Sequence, residues 1–192
     1  WIAAIIILVF IIQNLPGIPG FTDLFVLNSK ATNNFQIWRF LTSIFLHGDI
    51  THLAFNLFAL LFFGLSLEKF LGSKKFISIY LLSGILANII SVNYYTSSLG
   101  ASGAIYGILG ALTIIKPFMM VWAFGIIMPL FITAILYIAA DILRTLGAFG
   151  PTNIGSIAHL SGIAVGILLG ILLKPKKVKQ QEIKIEVNDF NA

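Results

Sequence analysis

Apolar residues fall into six runs along the chain, and these runs predict its secondary structure. They cover roughly residues 1–14, 52–70, 76–93, 102–115, 118–140 and 156–173. A helix needs about 20 apolar residues to cross the hydrocarbon core of a bilayer. We therefore expect an all-α polytopic membrane protein with six transmembrane helices. The first run is too short to span alone and begins at Trp1, so we expect its helix to be truncated at its start.

Two segments depart from this pattern. Residues 15–51 mix polar and aromatic side chains with four turn formers, Pro16, Gly17, Pro19 and Gly20. This stretch is too apolar for a flexible linker and too interrupted for a span, so it predicts a long, folded first loop lying partly in the membrane interface. Residues 175–192 are basic and polar. We therefore divide the chain into a membrane domain, 1–174, and a basic cytoplasmic tail, 175–192.

The placement of basic residues predicts the orientation. Nine lysines follow the second, fourth and sixth runs: Lys69, Lys74, Lys75, Lys116, Lys174, Lys176, Lys177, Lys179 and Lys184. Three basic residues lie on the opposite side: Lys30, Arg39 and Arg144. Lysine and arginine are enriched in cytoplasmic loops. We therefore expect a multi-pass protein of the plasma membrane, with a cytoplasmic C-terminus and an external first loop.

Composition supports the membrane assignment and excludes several classes of site. The chain is 58% hydrophobic and 10% charged, whereas about 25% of the residues of a soluble domain are charged. It has no cysteine, which excludes disulfides, thiolate catalysis and cysteine-based metal sites. We predict no metal site and no cofactor. The net charge of +5 is explained by topology, so we expect the lipid bilayer, and no nucleic acid, as a partner.

The fourth run is short enough to indicate a functional site. Ser102 lies fourteen residues before Lys116, about 21 Å of helix, against a hydrocarbon core of about 30 Å. The helix must then begin inside the membrane and line a cavity, because backbone N–H groups are not left unpaired against lipid. The same rise places His159 about 22 Å above Lys174 and Asn56 about 20 Å above Lys69. Three spans therefore bring polar side chains to one depth.

Glycine spacing predicts which helices touch. Gly103 and Gly107 in the fourth run, and Gly162, Gly166 and Gly170 in the sixth, recur every four residues. Such spacing lets helix backbones approach closely. If the two stripes face each other, Ser102 and His159 come within hydrogen-bonding reach, as a nucleophile and its base require. His52, Asn56 and the first N–H groups of the fourth helix are candidate oxyanion donors.

Each of these residues also has a structural interpretation. Ser102 could bond its own backbone, the glycines could serve packing alone, and His52 and Asn56 could join helices. A histidine inside a membrane could equally relay protons, so a small transporter or proton channel is an alternative. Against a transporter, the runs show no charged pair at mid-depth and no repeat between the two halves. Asp141 and Arg144 fit an ion pair at the surface.

Taken together, these residues resemble the rhomboid family of intramembrane serine proteases over about residues 38–170. The matching motifs are Trp38-Arg39, then His47-x4-His52-x3-Asn56, then Gly100-Ala-Ser102-Gly103 with Tyr106, and finally Ala158-His159 with Gly162 and Gly166. The resemblance implies six helices around a water-filled cavity open to the outside. It also implies a serine endopeptidase that cleaves single-span membrane proteins near the outer part of their transmembrane helix.

The resemblance further implies a role for each matching residue. Ser102 would be the nucleophile and His159 its base, a dyad without an acidic third member, and we expect no acid beside His159. His52, Asn56 and the Ser102 N–H would bind the oxyanion. The supporting residues would be Gly100, Gly103, Tyr106, His47 and Gly162, with Tyr106 packed against the histidine and His47 under the first loop. The fifth run would be the side entrance for substrate.

A catalytically silent, rhomboid-like membrane binding protein is the second alternative. Such proteins typically lack the serine or the histidine, and this chain has both Ser102 and His159. Under the protease interpretation the partner is a transmembrane protein substrate. The sequence makes no prediction of oligomeric state.

Overall fold

The secondary structure is mostly helical, with two small antiparallel sheets. The computed structural model describes residues 1–28, 32–150 and 154–174. Its helices are α1 Ile2–Gln13, α2 Phe21–Phe25, α3 Arg39–Thr42, α4 Ile50–Leu71, α5 Ser73–Ser91, α6 Ser102–Ile115, α7 Leu130–Thr145 and α8 Ser156–Leu173. A 3₁₀ helix covers Ser43–Phe45, and α4 contains a π-helical turn at Leu60–Gly64. The strands are β1 Leu27–Asn28, β2 Ser97–Ser98, β3 Met120–Ala123 and β4 Ile126–Pro129. Lys30 and the tail from residue 175 lie outside the described residues.

Three helices are long and apolar enough to cross a membrane, which supports an integral membrane protein. These are α4, α5 and α8, while α1 and α6 are shorter apolar helices. The fourth and sixth predicted runs, 102–115 and 156–173, agree with the bounds of α6 and α8. The short α6 also agrees with the expectation that the fourth helix covers part of the membrane thickness.

The fifth predicted span, residues 118–140, is wrong in extent. Its first half forms the β3–β4 hairpin, with Trp122 opposite Ile127, and α7 begins at Leu130. Phe124 and Gly125, between the strands, both have positive φ, 54° and 82°, as the tightest hairpin loops require. The first half of an apolar run long enough to span therefore folds back on itself as a hairpin, in a chain that is otherwise mostly helical.

The helix α6 lies at the centre of the bundle and packs closely against α8. Nine of its fourteen residues are buried. A Cβ atom added to Gly162 or Gly166 would overlap the carbonyl oxygen of Gly103 or Gly107, respectively. The backbones of α6 and α8 are therefore in direct contact, and the predicted facing of the glycine stripes is confirmed.

The first loop is folded around Arg39, whose side chain is buried. The guanidinium donates to the carbonyl oxygens of Asp23 and Val26, and its Nε donates to Gln36 Oε1 at 2.7 Å. Arg39 thus satisfies polar groups inside the loop. The pairing of β1 with β2 fastens this loop to the segment that leads into α6.

The loop is also attached to α5 by a buried amide. Asn88 Nδ2 donates to the carbonyl oxygen of Phe40 and to Ser43 Oγ. Ser43 in turn accepts, through its carbonyl oxygen, from the N–H of Gly100 at 3.0 Å. The first loop therefore holds the backbone immediately before α6 in place, which fixes where that helix begins.

Lysines gather at the opposite end of the bundle from Ser102. Lys174 Nζ donates to the carbonyl oxygen of Ile114, near the end of α6, at 2.9 Å. Lys116 Nζ lies over the Phe70 ring, 4.8 Å from its centroid. Cations at helix C-termini complement the helix dipole, so these lysines stabilise the ends of α4 and α6.

Candidate active site

Ser102 and His159 lie side by side where α6 and α8 begin. Ser102 is the first residue of α6 and His159 the fourth of α8. His159 Nε2 is 2.9 Å from Ser102 Oγ, a distance at which a hydroxyl can donate to imidazole. The pair can meet because Gly162, three residues after His159, has no side chain; a Cβ atom there would overlap the Gly103 carbonyl oxygen of α6. The structure brings the two predicted residues into hydrogen-bond contact.

Tyr106 stacks on the imidazole of His159. The two ring centroids are 4.2 Å apart and the rings are 12° from parallel. Tyr106 lies one helical turn after Ser102, so α6 supplies both the hydroxyl and the surface beneath the histidine. On its other side Tyr106 meets Tyr137 of α7 edge-on, with centroids 5.8 Å apart. This packing limits rotation of the imidazole, in agreement with the position that the sequence motifs gave to Tyr106.

An acid lies beside His159, contrary to expectation. Asp141 Oδ2 is 3.2 Å and Oδ1 is 3.4 Å from His159 Nδ1. The side chain of Asp141 has no exposed surface, so the interpretation of Asp141 and Arg144 as a surface pair is wrong for the aspartate. The expectation of no acid near His159 is also wrong, because α7 turns Asp141 towards α8.

A signal for Asp141 was present in the sequence. Acidic residues within membrane helices are rare and almost always face the protein interior. Asp141 is the one acidic residue between Lys116 and the tail. An isolated acid in an apolar run is a stronger indication of a buried carboxylate than the nearby Arg144 is of a surface ion pair.

His52 and Asn56 of α4 lie at the level of the serine segment but make different contacts. Gly100 has φ +125°, and a Cβ atom there would lie 2.8 Å from His52 Nε2. The His52 ring is thus packed against the backbone two residues before Ser102. Asn56 is buried, and its Nδ2 donates to the carbonyl oxygen of His52 at 2.8 Å. Their role as oxyanion donors stays a prediction.

His47 joins the end of α1 to the start of α4. Its N–H donates to Gln13 Oε1 at 3.1 Å, and Gln13 Nε2 donates to its carbonyl oxygen at 3.3 Å. The ring is buried with its centroid 5.0 Å from that of His52. Burial, and next the charge of His52, lower the pKa of His47 to about 4, so His47 is neutral near pH 7. Gln13 was not anticipated from the sequence.

Tyr95 holds the first turn of α8. The N–H of Ile157 donates to Tyr95 Oη at 2.9 Å. This bond satisfies one of the N–H groups that a helix leaves without an internal acceptor at its start. Since Ile157 lies two residues before His159, Tyr95 helps to fix the height of the histidine. No local sequence signal links Tyr95 to a residue 62 positions later.

Comparisons with known proteins match most of the chain to one family. The family model described as Rhomboid domain matches residues 34–176. YdcA of Bacillus subtilis, which carries the provisional name of a rhomboid protease, is 36% identical over 77% of this chain and 72% of its own length. Rhomboid-like protease 3 of Toxoplasma gondii is 34% identical over 73% of this chain and 53% of its own length.

A third relative is matched over more of this chain. The rhomboid protease GluP of Bacillus subtilis is 34% identical over 88% of the chain and 33% of its own length. The chain therefore spans about a third to a half of the length of GluP and of the Toxoplasma protein, and most of YdcA.

Proposed function

The chain belongs to the rhomboid family, and we propose that it is an intramembrane serine endopeptidase with Ser102 as nucleophile and His159 as general base. The observation that carries this proposal is the 2.9 Å contact between Ser102 Oγ and His159 Nε2. A serine hydroxyl is a weak nucleophile until an adjacent base accepts its proton. A catalytically silent relative would have no need for this contact, which favours the enzyme over a binding protein built on the same scaffold.

The proposed reaction runs in two halves. Ser102 Oγ attacks the scissile carbonyl carbon while its proton passes to His159 Nε2, and the carbonyl oxygen becomes an oxyanion. The imidazolium then returns this proton to the leaving amine as the C–N bond breaks, which leaves an acyl ester on Ser102. Water, deprotonated by His159, attacks the ester. The second oxyanion collapses, the ester C–O bond breaks and His159 returns the proton to Ser102 Oγ, which releases the acid and regenerates the serine.

The proposed oxyanion donors are His52, Asn56 and the N–H of Ser102. Ser102 opens α6, and the first N–H groups of a helix have no acceptor within it. The contact of the His52 ring with Gly100 supports a donor beside this N–H. Asn56 has two N–H bonds on its amide nitrogen, so the bond to the His52 carbonyl leaves one for substrate. Removal of one such donor typically lowers kcat by about 10²–10³.

The proposed substrates are single-span membrane proteins cut in or near the outer part of their transmembrane helix. The short α6 supports this proposal, because a helix of fourteen residues covers about 21 Å and starts below one membrane surface. The lysines at its far end support a cytoplasmic position for that end and for the C-terminus. We place the protein in the plasma membrane, with six spans and its cavity open to the outside.

The test is cleavage of single-span substrates by purified protein in bilayers. Ser102→Ala and His159→Ala are each expected to abolish turnover, because proton abstraction needs both side chains. The double variant should be no slower than either single variant. A fluorophosphonate probe should label the parent protein at Ser102. Substantial cleavage by Ser102→Ala would exclude this serine as the nucleophile, and substrate capture without cleavage by the parent protein would favour the silent binding protein.

A further inference from the structure

We propose that Asp141 is a positioning residue for His159, so that Ser102, His159 and Asp141 act as a triad. The proposal rests on the proposed function of Ser102 and His159, because Asp141 acts through the histidine. Its basis is the carboxylate at 3.2 Å from Nδ1, on the side of the imidazole opposite the serine.

The surroundings of the carboxylate show which atoms it serves. Arg144 donates to Oδ1 at 3.0 Å, whereas Oδ2 is the oxygen nearer to His159. Tyr106, which stacks on the histidine, also interacts with the carboxylate. Asp141 has no exposed side-chain surface, and a charge buried to this degree requires partners. Two of its three partners belong to the Ser102–His159 site.

The first consequence concerns the tautomer of the histidine. A neutral imidazole carries one N–H, and the nitrogen without it is the acceptor. Ser102 can give its proton to Nε2 only when the N–H is on Nδ1. A carboxylate at Nδ1 accepts that N–H and so selects the productive tautomer. Without it, the proton could lie on Nε2, where it would face the serine hydroxyl and block attack.

The second consequence concerns charge in the transition state. When Nε2 takes the serine proton, the imidazole that stacks on Tyr106 becomes positively charged. The negative carboxylate stabilises this imidazolium, while its own protonation state stays unchanged. Low-dielectric surroundings strengthen such an interaction relative to water. The carboxylate therefore lowers the barrier to attack as well as orienting the ring.

A purely structural ion pair explains the arrangement less well. The Arg144 side chain is 27% exposed, against 0% for Asp141, so the arginine lies at the rim and the aspartate inside. Pairing with Arg144 alone would be satisfied nearer the surface, with less desolvation of the carboxylate. In this structure the carboxylate of Asp141 contacts the imidazole of His159 as well as Arg144.

The test replaces the carboxylate by an amide of the same shape. D141N should lower kcat by about 10²–10⁴ with little change in KM, in the range seen for general-base catalysis and for the equivalent change in a serine-protease triad. The rate of Ser102 labelling by a fluorophosphonate should fall in parallel. D141E keeps the charge, and its kcat should be at least about tenfold higher than that of D141N, since a displaced carboxylate can still accept from Nδ1.

R144Q is the matched control, because it breaks the same ion pair but leaves the carboxylate on the histidine. It should keep kcat within a few-fold of the parent. Melting temperatures of all variants are measured in the same detergent. Equal losses in D141N and R144Q would overturn the inference, and so would a rise in KM alone or a fall in activity that follows the fraction of unfolded protein.

The proposed function and this inference fail separately. Cleavage by Ser102→Ala would remove the proposed function itself. An inactive Ser102→Ala protein together with a D141N protein of normal kcat would leave the protease in place and overturn the role of Asp141.

Discussion

The helices α6 and α7 both reach the candidate site but are held in different ways. In α6, nine of fourteen residues are buried, whereas in α7 four of sixteen are. The contacts of α6 with α8 run backbone to backbone through glycines. The helix α7 is preceded by a hairpin whose outer residues, such as Trp122 and Ile127, are more than half exposed.

Because of this difference, Ser102 and Asp141 are held in the proposed active site by different kinds of contact. Ser102 lies on the helix whose position the glycine contacts determine, so its height relative to His159 is fixed by close packing. Asp141 lies on the peripheral helix α7, where its contact with His159 is a polar interaction that joins α7 to α8. Substitutions in the α6–α8 contact should therefore slow both halves of the proposed reaction. Substitutions around the hairpin should instead affect the access of substrate to the site.

The largest effect is expected from a side chain in the α6–α8 contact. Gly162→Val would overlap the Gly103 carbonyl oxygen, and because this neighbour is backbone the helices must separate. A displacement of about 1 Å can cost about 10²-fold in rate, so turnover should fall at least this much. Overpacking should also lower the free energy of unfolding by about 1–3 kcal/mol. Cleavage assays and thermal unfolding in detergent measure both.

Gly155→Ala is the control for this change. Gly155 precedes the same helix, but its added Cβ would meet Ala158 Cβ at 3.8 Å, an ordinary contact. Activity and melting temperature should therefore stay close to those of the parent. Full activity in Gly162→Val would show that α8 can move without loss of the Ser102–His159 contact, and α6 would then be no more tightly fixed than α7.

The same contrast explains how much of the fold the sequence could predict. The bounds of α6 and α8 followed from apolar runs that end at Lys116 and Lys174, and their contact followed from glycine spacing. Both signals are local. They were sufficient to predict the contact between Ser102 and His159. The resemblance added the packing of Tyr106 against the His159 ring, which the structure also has.

The segment 118–145 was predicted poorly because its structure depends on contacts distant in sequence. Hydropathy alone does not distinguish an apolar hairpin from half of an apolar helix. The turn at Phe124 requires a positive φ from a bulky residue, which composition does not suggest. The inward direction of Asp141 depends on which face of α7 packs on α8, and its separation from Arg144 by three residues favoured the surface pair instead.

A smaller effect is expected from the hairpin itself. Trp122 and residues of α4, among them Phe55 and Phe58, line an apolar groove of about 590 Å³. If substrate helices reach the site along this groove, Trp122→Ala should raise KM for a membrane substrate by several-fold and leave kcat nearly unchanged. The reason is that the ring would contact substrate remote from the reacting bond, where binding is equal in ground and transition states.

Ile127→Ala is the matched control for the hairpin. Ile127 pairs with Trp122 across the strands and is similarly exposed, but it is not among the residues that line the groove. Its KM should equal that of the parent. A fall in kcat in Trp122→Ala would mean that the hairpin shapes the site, and equal KM effects in both variants would indicate a general loosening of this region.

The smallest effect should come from the hydrogen bond between Tyr95 and the first turn of α8. Burial raises the pKa of the Tyr95 hydroxyl above its ordinary value, so this group stays neutral and can accept from the Ile157 N–H. Tyr95→Phe removes the acceptor, and a hydrogen bond of this kind contributes about 0.5–1.5 kcal/mol. For a chain of this size the melting temperature should fall by about 2–4 °C per kcal/mol, and kcat by no more than a few-fold, because the glycine contacts still hold α8 on α6.

The neighbouring Tyr94 is 64% exposed, so Tyr94→Phe should change neither quantity. A loss of 10²-fold or more in Tyr95→Phe would show that the glycine contacts alone do not fix the height of His159. The α6–α8 contact would then depend on its surroundings as much as α7 does.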